Sequence, residues 1–170
     1  MNVFLLGMPM SGKTTVGKIV ASKLNFIFYD TDELIAKEKN ISIGKIIQKK
    51  GEEYFRNCEK DIIEKYAFEN SHVISSGGGA VSIHTKEIIK NYSYRVWLKC
   101  PIDKLIDRYK PNKDTRPLLY GADNVKNQLK NTFDKRSPFY DECSNIIIDT
   151  SNDSLDDIVQ EVLLRINEKN

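Results

Sequence analysis

Gly7-Met8-Pro9-Met10-Ser11-Gly12-Lys13-Thr14 follows directly on the apolar run Val3-Phe4-Leu5-Leu6 and precedes a helical pattern at Val16, Ile19, Val20 and Leu24. No other feature constrains the fold as much. An apolar run without alternation suits a strand buried on both faces, as in parallel sheets covered by helices. Glycines allow the backbone to wrap inward, so that several N–H groups converge where the next helix presents its positive end. Such a turn holds phosphate. In the pattern G-x-x-x-x-G-K-[ST] the lysine reaches the outer phosphates of a nucleotide and the hydroxyl ligates Mg²⁺. Lys13 and Thr14 take those roles here, and Met10, Ser11, Gly12 and Thr15 complete an ATP-binding loop. The loop alone does not define chemistry, because switches and transporters use it too.

Strands and helices alternate over the rest of the chain. Phe26 to Tyr29 reads as a second strand ending at Asp30, and residues 31 to about 70 as helical, interrupted at Asn40 and Gly51. His72 to Ser75 reads as a third strand running into Gly77-Gly78-Gly79, and Tyr94 to Leu98 as a fourth, stopped by Pro101, which can open a helix. Residues 111–120 lack periodicity and form an exposed loop. A helix from Ala122 to Phe139, a fifth strand over Asn145 to Ile148 and a helix from Leu155 to Ile166 follow. This order predicts an α/β fold, a three-layer sandwich around a five-stranded parallel sheet. A length of 170 residues fits a single domain spanning 1–170.

With 26 basic and 24 acidic residues the chain has no global field to gather nucleic acid or an anionic membrane, so any anion is held locally. No stretch approaches a membrane span. Cys58, Cys100 and Cys143 lack paired spacing, which suits a reducing cytoplasm. The small size and modest charge are compatible with a monomer.

Asp30 and Asp32 close the second strand, on the sheet edge that also carries the phosphate loop. A small-molecule kinase needs one group to take the acceptor hydroxyl's proton and one to hold the metal's water shell, tasks two carboxylates can divide. Helix capping is the plainer use of such residues. The glycine triplet after the third strand offers bare backbone to a ligand on the same edge.

Taken together, Gly7 to Thr15, Tyr29-Asp30-Thr31-Asp32, Phe55-Arg56, Gly77-Gly78-Gly79, Arg116-Pro117-Leu118-Leu119 and Arg136 followed by Tyr140 resemble the motif series of shikimate kinases. The resemblance implies a nucleoside-monophosphate-kinase-like P-loop fold, a substrate-binding helical region at about 32–59 and a lid at about 110–121. It implies Asp32 as the base at the reacting hydroxyl, Asp30 at the metal's water shell, and Arg56 and Arg136 on the substrate carboxylate. Gly78 becomes a backbone contact to substrate, and Arg116 a lid arginine acting on the ATP phosphates with Lys13. The implied reaction is Mg²⁺-dependent transfer from ATP to the 3-hydroxyl of shikimate, on the pathway to chorismate and the aromatic amino acids. Two arginines suit a small acid, since guanidinium meets carboxylate as a planar fork.

Two departures stand out. The family commonly has a glycine where Met10 stands, and Pro9 beside it stiffens the turn, which implies a different contact with the β-phosphate. Thr150-Ser151-Asn152-Asp153 matches the adenine-side motif poorly, leaving Arg108 as the candidate to stack on the base. Tyr29, Phe55, Trp97 and Phe133 read as core, His72 and His84 as non-catalytic, and Arg56 without the resemblance as part of a solvated face with Glu52, Glu53 and Glu59. A kinase of gluconate or of a nucleoside monophosphate, and an ATP-binding module without catalysis, are the competing readings.

Overall fold

The computed structural model describes residues 1–77, 79–80, 82, 85–114, 117–151 and 154–168. A five-stranded parallel sheet, β1 (Asn2–Leu6), β2 (Ile27–Asp30), β3 (His72–Ser75), β4 (Ser93–Lys99) and β5 (Ile146–Asp149), runs in the order β2-β3-β1-β4-β5. The described helices are α1 (Lys13–Leu24), α2 (Thr31–Lys39), α3 (Ile43–Lys50), α4 (Glu52–Ala67), α5 (Lys86–Tyr92), α6 (Ile102–Asp107), α7 (Val125–Cys143) and α8 (Leu155–Asn167).

The period of two along the strands divides the core into two layers. Val3, Leu5, Val73, Val96 and Leu98 pack with Val16 and Val20 of α1 and Val159 and Val162 of α8. Phe4, Leu6, Ile74 and Trp97 pack on the other face with Ile63 of α4, Ile89 of α5, Leu105 of α6 and Leu129 and Tyr140 of α7. Each such side chain contributes roughly 1.5–3 kcal/mol through burial. A third cluster lies off the sheet, where Ile35 of α2 and Ile43 and Ile46 of α3 pack on Phe55, Cys58 and Ile62 of α4. Both expected faces are thus covered, and Phe55 and Trp97 are core as their sequence context predicts.

Strand order reverses at β1, which lies between β3 and β4, and in open parallel sheets ligands bind outside the carboxyl ends at such a switch point. The glycine loop, Asp30 and Ser75 all leave strands on that edge.

Two elements differ from expectation. Segment 86–92 forms a helix that the pattern did not mark. The helix expected over 122–139 starts at Val125, where the Asn124 side chain caps the Asn127 N–H, and runs through Pro138 to Cys143. Proline removes one helical hydrogen bond. Tyr140 and Cys143 beyond it are each 1% exposed, and their burial carries the helix past that loss.

Candidate active site

The glycine loop adopts the backbone its composition suggests. Gly12 caps α1 with φ 96°, and a Cβ at Gly7 would lie 2.6 Å from Leu98 O, so both positions demand glycine. Met10 shares the left-handed region at φ 65°, which explains why a glycine suits that place. Lys13 is 8% exposed, and its Nζ donates to Gly7 O at 2.9 Å and Met8 O at 2.8 Å, which folds the ammonium over the loop. Ser11 Oγ is buried without a hydrogen-bond partner among the described residues, a donor of the kind a phosphate oxygen satisfies.

Thr14, Asp30 and Ser75 meet at the loop's end. Thr14 Oγ1 donates to Asp30 Oδ2 at 2.8 Å and lies 3.4 Å from Ser75 Oγ. Asp30 Oδ1 accepts from the Asp32 N–H at 3.1 Å, so one carboxylate both caps α2 and faces the loop. This all-oxygen set fits a hard cation such as Mg²⁺, which takes few protein ligands and shares the rest with phosphates and water. Ser75 carries no motif that would have marked it in the sequence.

Asp32 lines a cavity of about 800 Å³ together with the loop, Arg56, Glu59, Gly77, Gly79 and Arg136. The glycines bring these groups close. A Cβ at Gly77 would overlap Glu59 Oε1 and lie 2.7 Å from Asp32 Oδ1, and one at Gly79 would overlap the Arg56 guanidinium. The Thr31 hydroxyl accepts from the Gly77 N–H at 2.9 Å, which ties the ends of β2 and β3 together. Gly78 and Arg116 lie outside the described residues.

Arg56 is not on a solvated face with Glu59. Its Nη1 donates to Glu59 Oε2 at 2.5 Å and its Nη2 to Glu52 Oε1 at 2.7 Å, with Glu59 only 1% exposed. Burial pushes the Glu59 carboxyl up to about 7 against the pull of Arg56, and Asp32 adds to the rise while Arg136 opposes it. Glu59 Oε1 has no hydrogen-bond partner among the described residues. The sequence did carry a signal: Phe55, Glu59 and Ile62 share one helical stripe, where an acid is out of place unless it is held.

The cavity wall also includes Arg108, Thr150, Leu155 and Ile158. Arg108 donates to Met10 O and to Thr150 O, each at 3.3 Å, and so spans from the phosphate loop to the end of β5. Above the cavity, Asp114 joins the loop after α6 to α3: Ser42 Oγ donates to Asp114 Oδ1 at 2.7 Å and the Gly44 N–H to Asp114 O at 3.2 Å. A Cβ on Gly44 would overlap Lys113 O.

A phosphate loop at the switch point, carboxylates beside it and two arginines across the same cavity define a P-loop kinase of small molecules with the nucleoside-monophosphate-kinase-like architecture. The family model for shikimate kinase matches residues 9–167. Shikimate kinase of Clostridium botulinum is 40% identical over 155 residues, 89% of either chain, and that of Persephonella marina is 39% identical over 97% of this chain and 98% of its own. The solved shikimate kinase of Acinetobacter baumannii, in complex with shikimate, superposes with a TM-score of 0.94 at 30% identity, over 99% of this chain and 94% of that one. The chain belongs to the shikimate kinase family.

Proposed function

We infer that the chain transfers the γ-phosphoryl group of ATP to the 3-hydroxyl of shikimate, releasing shikimate 3-phosphate and ADP on the route to the aromatic amino acids. The observation that carries this reading is one cavity shared by the phosphate loop, Asp32 and the arginine pair Arg56 and Arg136. Lys13 and the loop N–H groups hold the outer phosphates, with Met10, Ser11, Gly12, Thr14 and Thr15 around them. Arg56 and Arg136 fix the carboxylate of shikimate, which orients its ring so that the 3-hydroxyl meets the terminal phosphorus. Asp32 takes the hydroxyl proton as the bond to phosphorus forms. Glu59 holds the Arg56 guanidinium in place from behind. Gly78 as a backbone contact to substrate and Arg116 as a cation over the phosphates complete the assignment from the motif series.

Thr14 directly, and Asp30 through water, would hold Mg²⁺, which supplies charge neutralisation across the phosphates. The hydroxyl and carboxylate in contact support that pairing. The region 32–59 serves as the substrate-binding part and 110–121 as a lid, within one kinase domain acting as a cytoplasmic monomer. Arg108 and Leu155 flank the place of the adenine.

ADP formation measured with and without shikimate tests the reading: release stimulated by shikimate is expected, and its absence with gluconate or nucleoside monophosphates as well would leave a nucleotide-binding module. Asp32→Asn should lower kcat by roughly 10²–10⁴ with ATP affinity nearly unchanged, as for loss of a general base. Normal turnover in that variant would remove Asp32 from the mechanism.

A further inference from the structure

A second cavity, about 480 Å³ in volume, opens at the other edge of the sheet, with Phe68, Glu69, Asn70, Lys90, Tyr92 and Arg95 in its wall. These residues precede or open β3 and β4, so the cavity stands at the amino ends of the strands, whereas the phosphate loop leaves their carboxyl ends. Arg95 pairs in register with Phe4 and shares the sheet face of Trp97, where a cation is out of place unless it is held. Three main-chain carbonyls hold it: Nε donates to Cys143 O at 2.8 Å, and Nη1 donates to Lys90 O and to Ser93 O at 2.6 Å each. Cys143 and Lys90 belong to the last turns of α7 and α5, whose carbonyls lack helical partners, so Nε and Nη1 have a structural use. Nη2 has no acceptor among the described residues, and no carboxylate there pairs with the guanidinium. Burial therefore holds Arg95 below the usual arginine range, while Arg56 is raised, against its own burial, by Glu59 and Glu52.

Phe68, just past α4, and Tyr92, at the end of α5, are 61% and 44% exposed, yet their rings meet edge to face at 4.6 Å in the wall of this cavity. Paired aromatics left in water beside a cation with a free donor offer both halves of a binding site. Lys90 Nζ reaches Glu142 Oε1 at 3.2 Å and keeps further donors, since an ammonium carries three. We propose that this cavity binds a small monocarboxylate with a flat apolar ring, its carboxylate on Arg95 Nη2 and Lys90 Nζ and its ring against Phe68 and Tyr92. The volume is that of a small-molecule cleft. A guanidinium already fixed by three carbonyls loses little freedom when the ligand arrives, which favours binding. Glu69 stands on the same wall, 3.4 Å from His72 Nε2, and its charge repels a dianion such as phosphate about twice as strongly as a monoanion.

The test is titration of benzoate into the full chain, followed by amide chemical-shift mapping, with and without shikimate and Mg-ADP to fill the active-site cavity. Saturable shifts are expected at residues 67–70 and 90–95 under both conditions, with a Kd of about 1 mM or tighter. Benzyl alcohol keeps the ring without the charge, and acetate the charge without the ring. Each of these, and inorganic phosphate, should bind at least about tenfold more weakly, as for loss of one charge-assisted bond or of one buried ring face. Arg95→Gln should weaken benzoate about tenfold or more. Because Arg95 also holds the ends of α5 and α7, Lys90→Gln and Phe68→Ser are measured beside it, neither of which removes those carbonyl contacts. Both should weaken benzoate about threefold or more and leave shikimate-dependent ADP formation as in the wild type.

Shifts confined to the surroundings of Arg56 and Arg136, and abolished by shikimate with Mg-ADP, would show that benzoate goes to the active-site cavity alone and would overturn the proposal. Wild-type affinity in both Lys90→Gln and Phe68→Ser would overturn it as well, as would phosphate or acetate binding as tightly as benzoate. A lower melting temperature in Arg95→Gln, with no benzoate shifts in the wild type, would leave Arg95 with its carbonyl contacts as its whole role.

Discussion

Met10 occupies a left-handed position, φ 65°, in the middle of the phosphate loop, where an L side chain costs about 1–2 kcal/mol relative to glycine. Its side chain packs against the core below, which offsets part of that cost. Met10→Gly should therefore change unfolding free energy by less than about 1 kcal/mol, because relief of backbone strain is balanced by the packing that the methionine supplies. Met10→Val should lose about 2 kcal/mol or more, because β-branched residues tolerate this region worst. Urea denaturation of both variants measures the difference, and equal stabilities would show that the loop relaxes freely. Glu59 permits a prediction with a pH sign. Its carboxyl lies near 7 in the fold, against 4.5 for the free group, with Arg56, Asp32 and Arg136 as the charges facing it. A raised value means that ionisation is disfavoured inside the fold: the contribution to stability is full below about 4.5 and is lost as pH climbs through about 7. At 1.36 kcal/mol per unit the loss is of the order of 3 kcal/mol. Glu59→Gln cannot ionise, so wild-type stability relative to this variant should fall between pH 5 and pH 8, measured by thermal melts across that range. A constant difference would mean that the Arg56 pair holds Glu59 ionised throughout.

The strands were readable in the sequence because Val3 to Leu6, Val73-Ile74 and Val96 to Leu98 are short apolar stretches followed within a few residues by glycine or proline, a local signal that burial on both faces only reinforces. Helix α7 was readable in kind and not in extent. The expected end at Phe139 already lies past Pro138, and the burial of Tyr140 and Cys143 that carries the helix further depends on the whole fold. The same holds for the contact between α3 and the loop after α6. Ser42 caps α3 and Gly44 lies in its first turn, and Asp114 engages both, its carboxylate and carbonyl sitting at the N-terminal turn of α3 where a negative group is favoured. That contact ties the proposed lid to the proposed substrate-binding region. Asp114→Ala removes one hydrogen bond of about 0.5–1.5 kcal/mol and should make tryptic cleavage after Lys110 and Lys113 faster by roughly 3- to 10-fold. Gly44→Ala should have the larger effect, since its Cβ would meet the Lys113 carbonyl itself. Cleavage followed by mass spectrometry checks this, and wild-type rates in both variants would show that the segment is held elsewhere.

In the whole molecule, the cores are unequal in their support. Two of the three hydrophobic clusters among the described residues share the central sheet, with Leu5, Leu6 and Val96 at 0% exposure, and each is braced by two or more helices. The third, built from Ile35, Ile43, Ile46, Phe55, Cys58 and Ile62 of α2, α3 and α4, stands off the sheet and packs mainly on α4. The site spans both kinds of ground. The phosphate loop and Asp30 leave sheet strands, so their place on one edge of the sheet was readable from motif and strand together. The environment of Arg56 and Glu59 was signalled only by an acid on the apolar stripe of α4, because its geometry arises where α4 passes Gly77 and Gly79. Segments with few partners open at lower free energy than the global transition. Amide exchange should therefore be at least about tenfold faster in α3 than in β1, a difference of roughly 1.4 kcal/mol or more in opening free energy. Shikimate bound between Arg56 and Arg136 would cross-link α4 to α7 and close that cluster against the sheet. Adding shikimate should slow exchange in α2, α3 and the first turns of α4 while leaving β1 and β4 unchanged, since a ligand that binds only the closed form suppresses the opening by mass action. Mass-spectrometric exchange with peptide resolution reads both effects, and uniform protection across α3 and β1 would show that the off-sheet cluster folds and unfolds as one body with the sheet.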